Sequence, residues 1–458
     1  MVSCLHPCLQ LLIFIETTIL GARSMKQKTD LERKLAWYKA QNTLFPHLTE
    51  TDQRLVEELT RRYRLTFQEF RQLVEMARDL AMWREGDLFQ WWQSQAPKPS
   101  SKEAFLAGLR HHVNTLRASE KIYPPLHSFE KPERESKKIT VERADKKIHG
   151  MCPVASEKYV CCNLRTIDVV ENCVFGCSYC TIQTFYTDKI VFDADLPQKL
   201  KSIPIDPDRY YHYGTGQSSD SLAWGNRFGI LDALCSFAEE HPNVLLEFKT
   251  KSNNIRYFLE HEVPPNIVCS WSLNPPVIIE NEEHFTASLE ERLAAARTVA
   301  DRGIKVAFHF HPMVYYNGWK TDYPAIAARL LECFSPQEVL FVSFGSVTLI
   351  KPVIRKIREL GHPTKAHQME LVPDPHSKLT YPDAVKISLF RTMHQAFAPW
   401  HGHVFFYLCM EKAAIWEQTF GFAYPDNETF ERHFLEQAFA KIYPHHVPAA
   451  AAACEEAE

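Results

Sequence analysis

The chain reads as an α/β protein, a partial (β/α)6 TIM-type barrel with an N-terminal α-helical region. Three observations predict this. Apolar, β-branched or aromatic runs recur at 166–171, 210–213, 244–248, 267–273, 306–310 and 339–344. Helix-like stretches at 227–240, 289–302 and 323–333 lie between them, the alternation that builds a parallel sheet with crossover helices. Residues 25–120 instead carry apolar residues at helical spacing only. Crossovers are right-handed, so successive strands add in one direction and the sheet curls. Six units are too few to close an eight-stranded barrel, so an open arc is expected.

Taken in order, residues 1–24 hold a short apolar run, Leu9 to Ile15, broken by Glu16 and preceded by no Lys or Arg. That suits neither a signal peptide nor a spanning helix of about 20 apolar residues. A disordered start or a mis-assigned one, with translation from Met25, is expected. The helical region covers 25–127. Asp52 to Leu59 has helical spacing with Thr49 or Thr51 placed to cap it, and Phe67 to Met82 and Lys102 to Leu116 repeat the pattern. A nucleic-acid-binding helical module and a plain α-helical cap both fit. Residues 128–150 are charged and short of large apolar side chains, which reads as a linker. The barrel with its C-terminal extension takes 151–440, and the Ala/Glu-rich tail, 441–458, is expected to be disordered.

Hydrophobic residues make up 45% of the 458 and charged residues 24%, as in an ordinary globular protein. The net charge of −4 excludes a generally nucleic-acid-coating protein but not a local basic patch. No segment fits a membrane span. Thirteen cysteines in so long a chain point to metal or redox chemistry rather than to a disulfide framework.

Cys173, Cys177 and Cys180 have the spacing C-x3-C-x2-C and directly follow the first barrel strand. An iron–sulfur cube normally takes four thiolates. Three from one tight loop leave an iron open, and an open position marks a catalytic metal site. The occupant this predicts is S-adenosylmethionine, chelating through its amino and carboxylate groups. Zinc is the alternative, but it wants four ligands, and no second CxxC exists; Cys161 and Cys162 are adjacent and make a poor pair. An oxygen-sensitive cluster suits a reducing cytoplasm.

In such folds chemistry gathers at the C-terminal ends of the strands. The second strand runs into Gly214 to Asp220, where Ser219 and Asp220 also suit an ordinary capped turn. The third ends in Lys249-Thr250-Lys251, the fourth in Ser270-Trp271-Ser272-Leu273-Asn274, and the fifth in His309-Phe310-His311-Pro312. With no third ligand nearby, the two histidines read as packing or polar lining.

The cysteine motif with Ile182-Gln183-Thr184, then Ser219-Asp220, Thr250-Lys251, Ser272-Leu273-Asn274 and Pro312…Gly318-Trp319, resembles the radical S-adenosylmethionine enzymes of the spore photoproduct lyase family. Glu370 to Asp374 and Tyr407 to Glu411 resemble that group as well. The likeness covers about 150–440. It implies a 4Fe–4S cluster on Cys173, Cys177 and Cys180, cofactor contacts from Ser218, Lys251 and Ser272, and a role for Tyr179 beside the cluster. It also implies an electron donor such as flavodoxin or ferredoxin, and DNA as the partner that carries a thymine lesion. Pro373 to Lys378 with Leu379-Thr380-Tyr381 suits a hairpin like the one the lyase presses against DNA. Two positions depart from the family. Gln217 stands where the lyase has its hydrogen-donating cysteine, and Thr181 stands where a tyrosine follows the last cluster cysteine. Cofactor chemistry is therefore expected to carry over and the hydrogen relay is not. Cys269 could substitute, although burial in the sheet is the simpler expectation. Two other readings stay open: a radical enzyme on a non-DNA substrate, and a metal-stabilised nucleic-acid-binding protein without catalysis.

Overall fold

The computed structural model describes residues 30–126, 136–143, 145–153 and 156–444. The expected disordered start, part of the expected linker and 445–458 of the expected tail lie outside these. The described residues divide into two compact units, one running up to Ser119 together with Ile357–Pro363, the other from Glu120 to Lys356 and from Thr364 onward. The first boundary thus falls earlier than the expected 127, and one short distant segment joins the helical region.

That region is built from α1 (Glu50–Tyr63), α2 (Phe67–Trp83), α3 (Leu88–Ser94) and α4 (Lys102–Ala118). Each start has a side-chain cap, because the first backbone N–H groups of a helix lack partners. Thr49, rather than Thr51, accepts from Asp52 N at 3.1 Å. Thr66 with Glu69 and Asp87 with Gln90 form capping boxes. Val56, Leu59, Phe70, Val74, Trp83 and Phe105 fill the core, where the Tyr63 ring stacks on Phe105 at 4.8 Å. Within the same unit Arg358 grips the buried Asp79 with Nε at 2.7 Å and Nη2 at 2.8 Å.

The second unit holds the curled sheet. Its strands are β1 (His149–Met151), β2 (Arg165–Ile167), β3 (Tyr211–Thr215), β4 (Val244–Thr250), β5 (Ile267–Ser272), β6 (Lys305–Met313), β7 (Val339–Ser346) and β8 (Phe405–Leu408). They lie side by side in sequence order. Pairing is parallel from β2 to β8, and β1 is antiparallel to β2. All six expected strands are present, and β1 and β8 extend the arc at its two edges. Strand β3 runs into β4 through helix Ile230–Glu240, β5 into β6 through Leu289–Asp301, and β6 into β7 through Trp319–Cys333. The middle strands β4, β5 and β7 are buried almost throughout, as strands covered on both faces must be.

Three local outcomes differ from the expectations. The charged stretch near 128–150 is not simply a linker. Lys138–Glu142 pairs in parallel with Lys189–Asp193, and β1 lies at its end, because alternating Ile139 and Val141 suffice for an edge strand. The expected first strand splits after Ile167, and Val170–Glu171 joins the small sheet instead. The last helix, Asn427–Ile442, runs past the expected limit of 440. The expected hairpin is present, with Val372 opposite Thr380 and Pro373 opposite Leu379.

The two edges of the arc are tied together. Val160 bridges Glu411, just beyond β8, and Leu164 O accepts from Cys152 N, just beyond β1, at 2.8 Å. Glu411 is buried and bonds Lys386 Nζ at 2.6 Å, yet burial raises its carboxyl to about 7. A carboxyl raised on folding contributes stability below its unfolded pKa and loses it as pH rises through its folded one. Denaturant titrations are expected to show wild-type stability falling between about pH 5 and pH 8. Glu411→Gln flattens that slope.

Candidate active site

The C-terminal ends of β3 to β7 open into a cavity of about 290 Å3. Cys173, Cys177 and Cys180 line it together with Gln217, Lys249, Lys251, Ser272, His311 and Cys409. Gly216 turns the chain at φ +87°, and a Cβ there would stand 2.6 Å from Ser221 Oγ and 3.1 Å from Lys249 O. Only glycine allows the β3 turn to come this close.

The cysteine loop is held by its backbone. Cys180 N bonds Cys177 O at 3.1 Å, closing the turn. Gly176–Cys177 pairs antiparallel with Glu283–His284, and Ser178 N bonds Glu282 O at 2.8 Å. At the loop's start Asn172 takes φ 68° and its side chain bonds Thr187 Oγ1 at 2.8 Å and Lys189 O. Burial pushes the Cys173 thiol up to about 12, with the Asp220 carboxylate adding to it, and pushes Cys177 well above its usual value. Lys251 acts in the opposite sense on both. Among the described residues no three His, Cys, Asp or Glu side chains converge on a single-ion position. The three thiols line one cavity. Thiols buried this way ionise when a metal takes them, and their donor set fits an iron–sulfur cube with one corner left open.

Beneath the loop sits a fully buried ion pair, Glu283 with Arg292 Nη2 at 2.6 Å. Glu283 also accepts from the Tyr179 hydroxyl and from Asn274 Nδ2 at 2.8 Å. Arg292 donates further to Ser272 O at 2.7 Å and to Ala287 O at 2.9 Å. Asn274 Oδ1 in turn accepts from Tyr323 at 2.7 Å. One carboxylate thus joins the cysteine loop to the end of β5. Burial opposes its charge, but Arg292 and Lys251 hold its pKa below the usual value.

The residues singled out from sequence divide. Lys251 and Ser272 line the cavity with the three cysteines. Tyr179 lines it too, but its hydroxyl is engaged by Glu283. Ser218 turns away from the cavity, and its hydroxyl donates to Val170 O at 2.7 Å, bracing the approach to the cysteine loop. Asp220 serves the capped turn, accepting from Leu222 N, Ala223 N, Thr250 Oγ1 and Lys251 N. Cys269 is fully buried in β5 and does not reach the cavity. Of the two histidines only His311 lines the cavity; His309 is buried and bonds Ser343 Oγ and Glu247 Oε1. Sequence reasoning missed Glu283, Arg292 and Cys409. Glu283 and Arg292 sit in a helical stretch and its approach with no motif to mark them, whereas Cys409 stood in the Tyr407 to Glu411 segment already noted.

Residues 162–365 match the family model described as spore photoproduct lyase. That stretch of the chain resembles the spore photoproduct lyase family. Spore photoproduct lyase of Clostridium acetobutylicum is 24% identical over 200 residues, 42% of this chain and 59% of that one. The enzyme of a Geobacillus strain is 25% identical over 207 residues, 43% and 61% of the two chains. The chain therefore spans about six tenths of the length of these relatives. A solved structure of spore photoproduct lyase complexed with dinucleoside spore photoproduct superposes with a TM-score of 0.51 at 21% identity, covering 59% of this chain and 81% of that one. That likeness supports the barrel fold. No helix among the described residues is long and apolar enough to cross a membrane.

Removing one partner of a buried ion pair leaves an uncompensated charge. Arg292→Met is expected to cost about 3–5 kcal/mol in denaturant unfolding, and to lower iron retention because the loop loses its anchor. Glu283→Gln with Arg292→Met together is expected to recover much of that stability.

Proposed function

We propose that this chain is a radical S-adenosylmethionine enzyme acting from the cytoplasm. The observation that carries the reading is one cavity, at the C-terminal ends of parallel strands, shared by three thiols of a C-x3-C-x2-C loop, Lys251 and Ser272. Cys173, Cys177 and Cys180 would hold a 4Fe–4S cluster. When bound, the cluster and S-adenosylmethionine supply reductive cleavage to methionine and a 5′-deoxyadenosyl radical that abstracts hydrogen from a substrate. Lys251 offers its ammonium to the cofactor carboxylate and Ser272 its hydroxyl, and both sit on strand ends rigid enough to orient it. Tyr179 acts through Glu283, fixing the loop, and Ser218 braces the same loop through Val170. Flavodoxin or ferredoxin is the class of electron donor proposed.

A thymine lesion in DNA is the first substrate proposed. Reaching it means drawing the base from the stack, which costs a few kcal/mol and least for damaged bases. The hairpin at 372–380 supports a nucleic-acid contact, and its tip is ordered by Asp374, which accepts from His376 N and Lys378 N at 2.8 Å each. One specific observation favours a different substrate, because Gln217 lines the cavity and an amide does not donate a hydrogen atom as a thiol does. Cys409 supplies a thiol on the same cavity, raised to about 12 by burial and so protonated at neutral pH.

Incubating reconstituted protein with dinucleotide spore photoproduct tests the substrate. Thymine return supports lesion repair, and 5′-deoxyadenosine release without it supports a non-DNA substrate. Stoichiometric zinc with no nucleoside release would support the structural, non-catalytic reading instead. Lys251→Ala is expected to weaken S-adenosylmethionine binding about tenfold or more, the worth of one charged hydrogen bond. Ser218→Ala weakens it far less, by equilibrium dialysis. Cys409→Ser is expected to leave cofactor cleavage intact while lowering product per 5′-deoxyadenosine released.

A further inference from the structure

The cavity wall carries a second cation that the cofactor contacts do not use. Lys249, near the end of β4, and Lys251, just past it, alternate with Thr250, so both side chains leave on one face, about 7 Å apart along the chain. Both line the cavity, and Lys249 lies one step deeper than Lys251. Among the described residues Lys249 forms no ion pair, and its Nζ lies 3.4 Å from His311 Nδ1. Asp220 is the only carboxylate among the described lining residues, and four donors already take it up. Glu247, the next inward residue of β4, is bonded by His212, His309 and Ser270. Burial lowers the Lys249 pKa further than the attraction of Glu247 raises it, so the ammonium is left short of countercharge.

Gly216 brings a second donor to the same lysine. Strands β3 and β4 pair Thr215 with Phe248, and a Cβ at Gly216 would stand 3.1 Å from Lys249 O. Gln217 therefore enters the cavity beside Lys249, and its amide makes no hydrogen bond among the described residues. Beyond Lys249 the His311 ring lies against Gly345, where a Cβ would stand 3.1 Å from His311 Cδ2. Cys409 N bonds Phe344 O at 2.8 Å, which places Cys409 next along the wall. An ammonium and an amide thus share a cavity wall with a thiol, and no carboxylate of the lining answers them. Such a wall is built to receive an oxyanion from outside.

We propose that Lys249 and Gln217 form a substrate subsite for a monoanionic oxyanion, a carboxylate or a phosphodiester, held on the same wall as the Cys409 thiol. The ammonium supplies the charge and the amide N–H2 supplies a second, directed donor, so the two oxygens of one oxyanion each find a partner. The subsite gives Gln217 a role that its amide suits, unlike hydrogen-atom donation. It also selects against neutral substrates, which would leave a desolvated ammonium unpaired. In a nucleic acid the backbone phosphodiester meets the requirement, and in a small molecule a carboxylate does. The inference rests on reading the cavity as the reaction chamber of a radical enzyme.

The test is trace acetylation of the full-length, reconstituted protein with S-adenosylmethionine saturating, so that the cofactor's own carboxylate is already placed. Dimethyl phosphate and acetate are the anionic probes, and trimethyl phosphate and methyl acetate are their neutral counterparts. Labelling of Lys249 is read by peptide mass spectrometry against that of exposed lysines. An anionic probe is expected to lower Lys249 labelling severalfold, and its neutral counterpart is not. Gln217→Leu is expected to raise the probe concentration needed about tenfold, the loss of one charged hydrogen bond. The more protective anion names the source: dimethyl phosphate a nucleic-acid backbone, acetate a small carboxylic acid. The proposal is overturned if neither anion shields Lys249 more than exposed lysines, if S-adenosylmethionine alone shields it fully, or if Gln217→Leu is protected as wild type is. Release of 5′-deoxyadenosine by reduced wild-type protein is read separately, which tells a failure of radical generation apart from a failure of the subsite.

Discussion

The buried contact between Glu283 and Arg292 is the constraint on which the site depends. A carboxylate with no water around it is costly unless paired and fully hydrogen-bonded, and here every partner is a piece of the site. Arg292 carries the charge and reaches the Ser272 carbonyl. Asn274 and Tyr179 complete the shell, and Tyr179 belongs to the cysteine loop itself. The backbone of Glu283–His284 pairs with Gly176–Cys177. Shifting the loop would therefore break a strand pairing and expose an unsatisfied charge together. That is why so short a loop can hold three thiols in fixed relation.

The barrel provides the second half of the arrangement. Parallel strands send their C-terminal ends to one side of the sheet, so residues far apart in sequence, from Cys173 to Cys409, line one cavity. The arc is open, and the tie from Val160 to Glu411 joins its edges instead of further strands. The interior of the arc is not purely apolar. Glu247, His212, His309, Ser270 and Ser343 form a hydrogen-bonded polar network there, in which His212 Nδ1 is left without a partner.

Much of this was legible in the sequence. The strand positions followed from apolar β-branched runs, and all six appear. The cysteine spacing named the loop, and the strand-end rule located Lys251 and Ser272. What remained hidden is instructive. Ser218 and Ser219 are neighbours, and pattern alone cannot say which lines a cavity; the turn set by Gly216 sends Ser218 to Val170 O and leaves Ser219 in the lining, its hydroxyl donated to Asn172 O. Glu283 and Arg292 are an ordinary acid and an ordinary base in sequence, and only their complete burial gives them meaning. Ile139 and Val141 sit among so many charges that an edge strand reads as a linker. The segment 357–363 belongs with residues more than 200 positions away, a tertiary fact with no local signal.

The central claim is that three side chains leave one iron of a cube free for an outside molecule. The most direct measurement is electron paramagnetic resonance of the anaerobically reconstituted, reduced protein with and without S-adenosylmethionine labelled with nitrogen-15 in its amino group. A changed spectrum with hyperfine coupling from that nitrogen is the expected result. An unchanged spectrum, from a cluster whose irons are all held by side chains, would contradict the account.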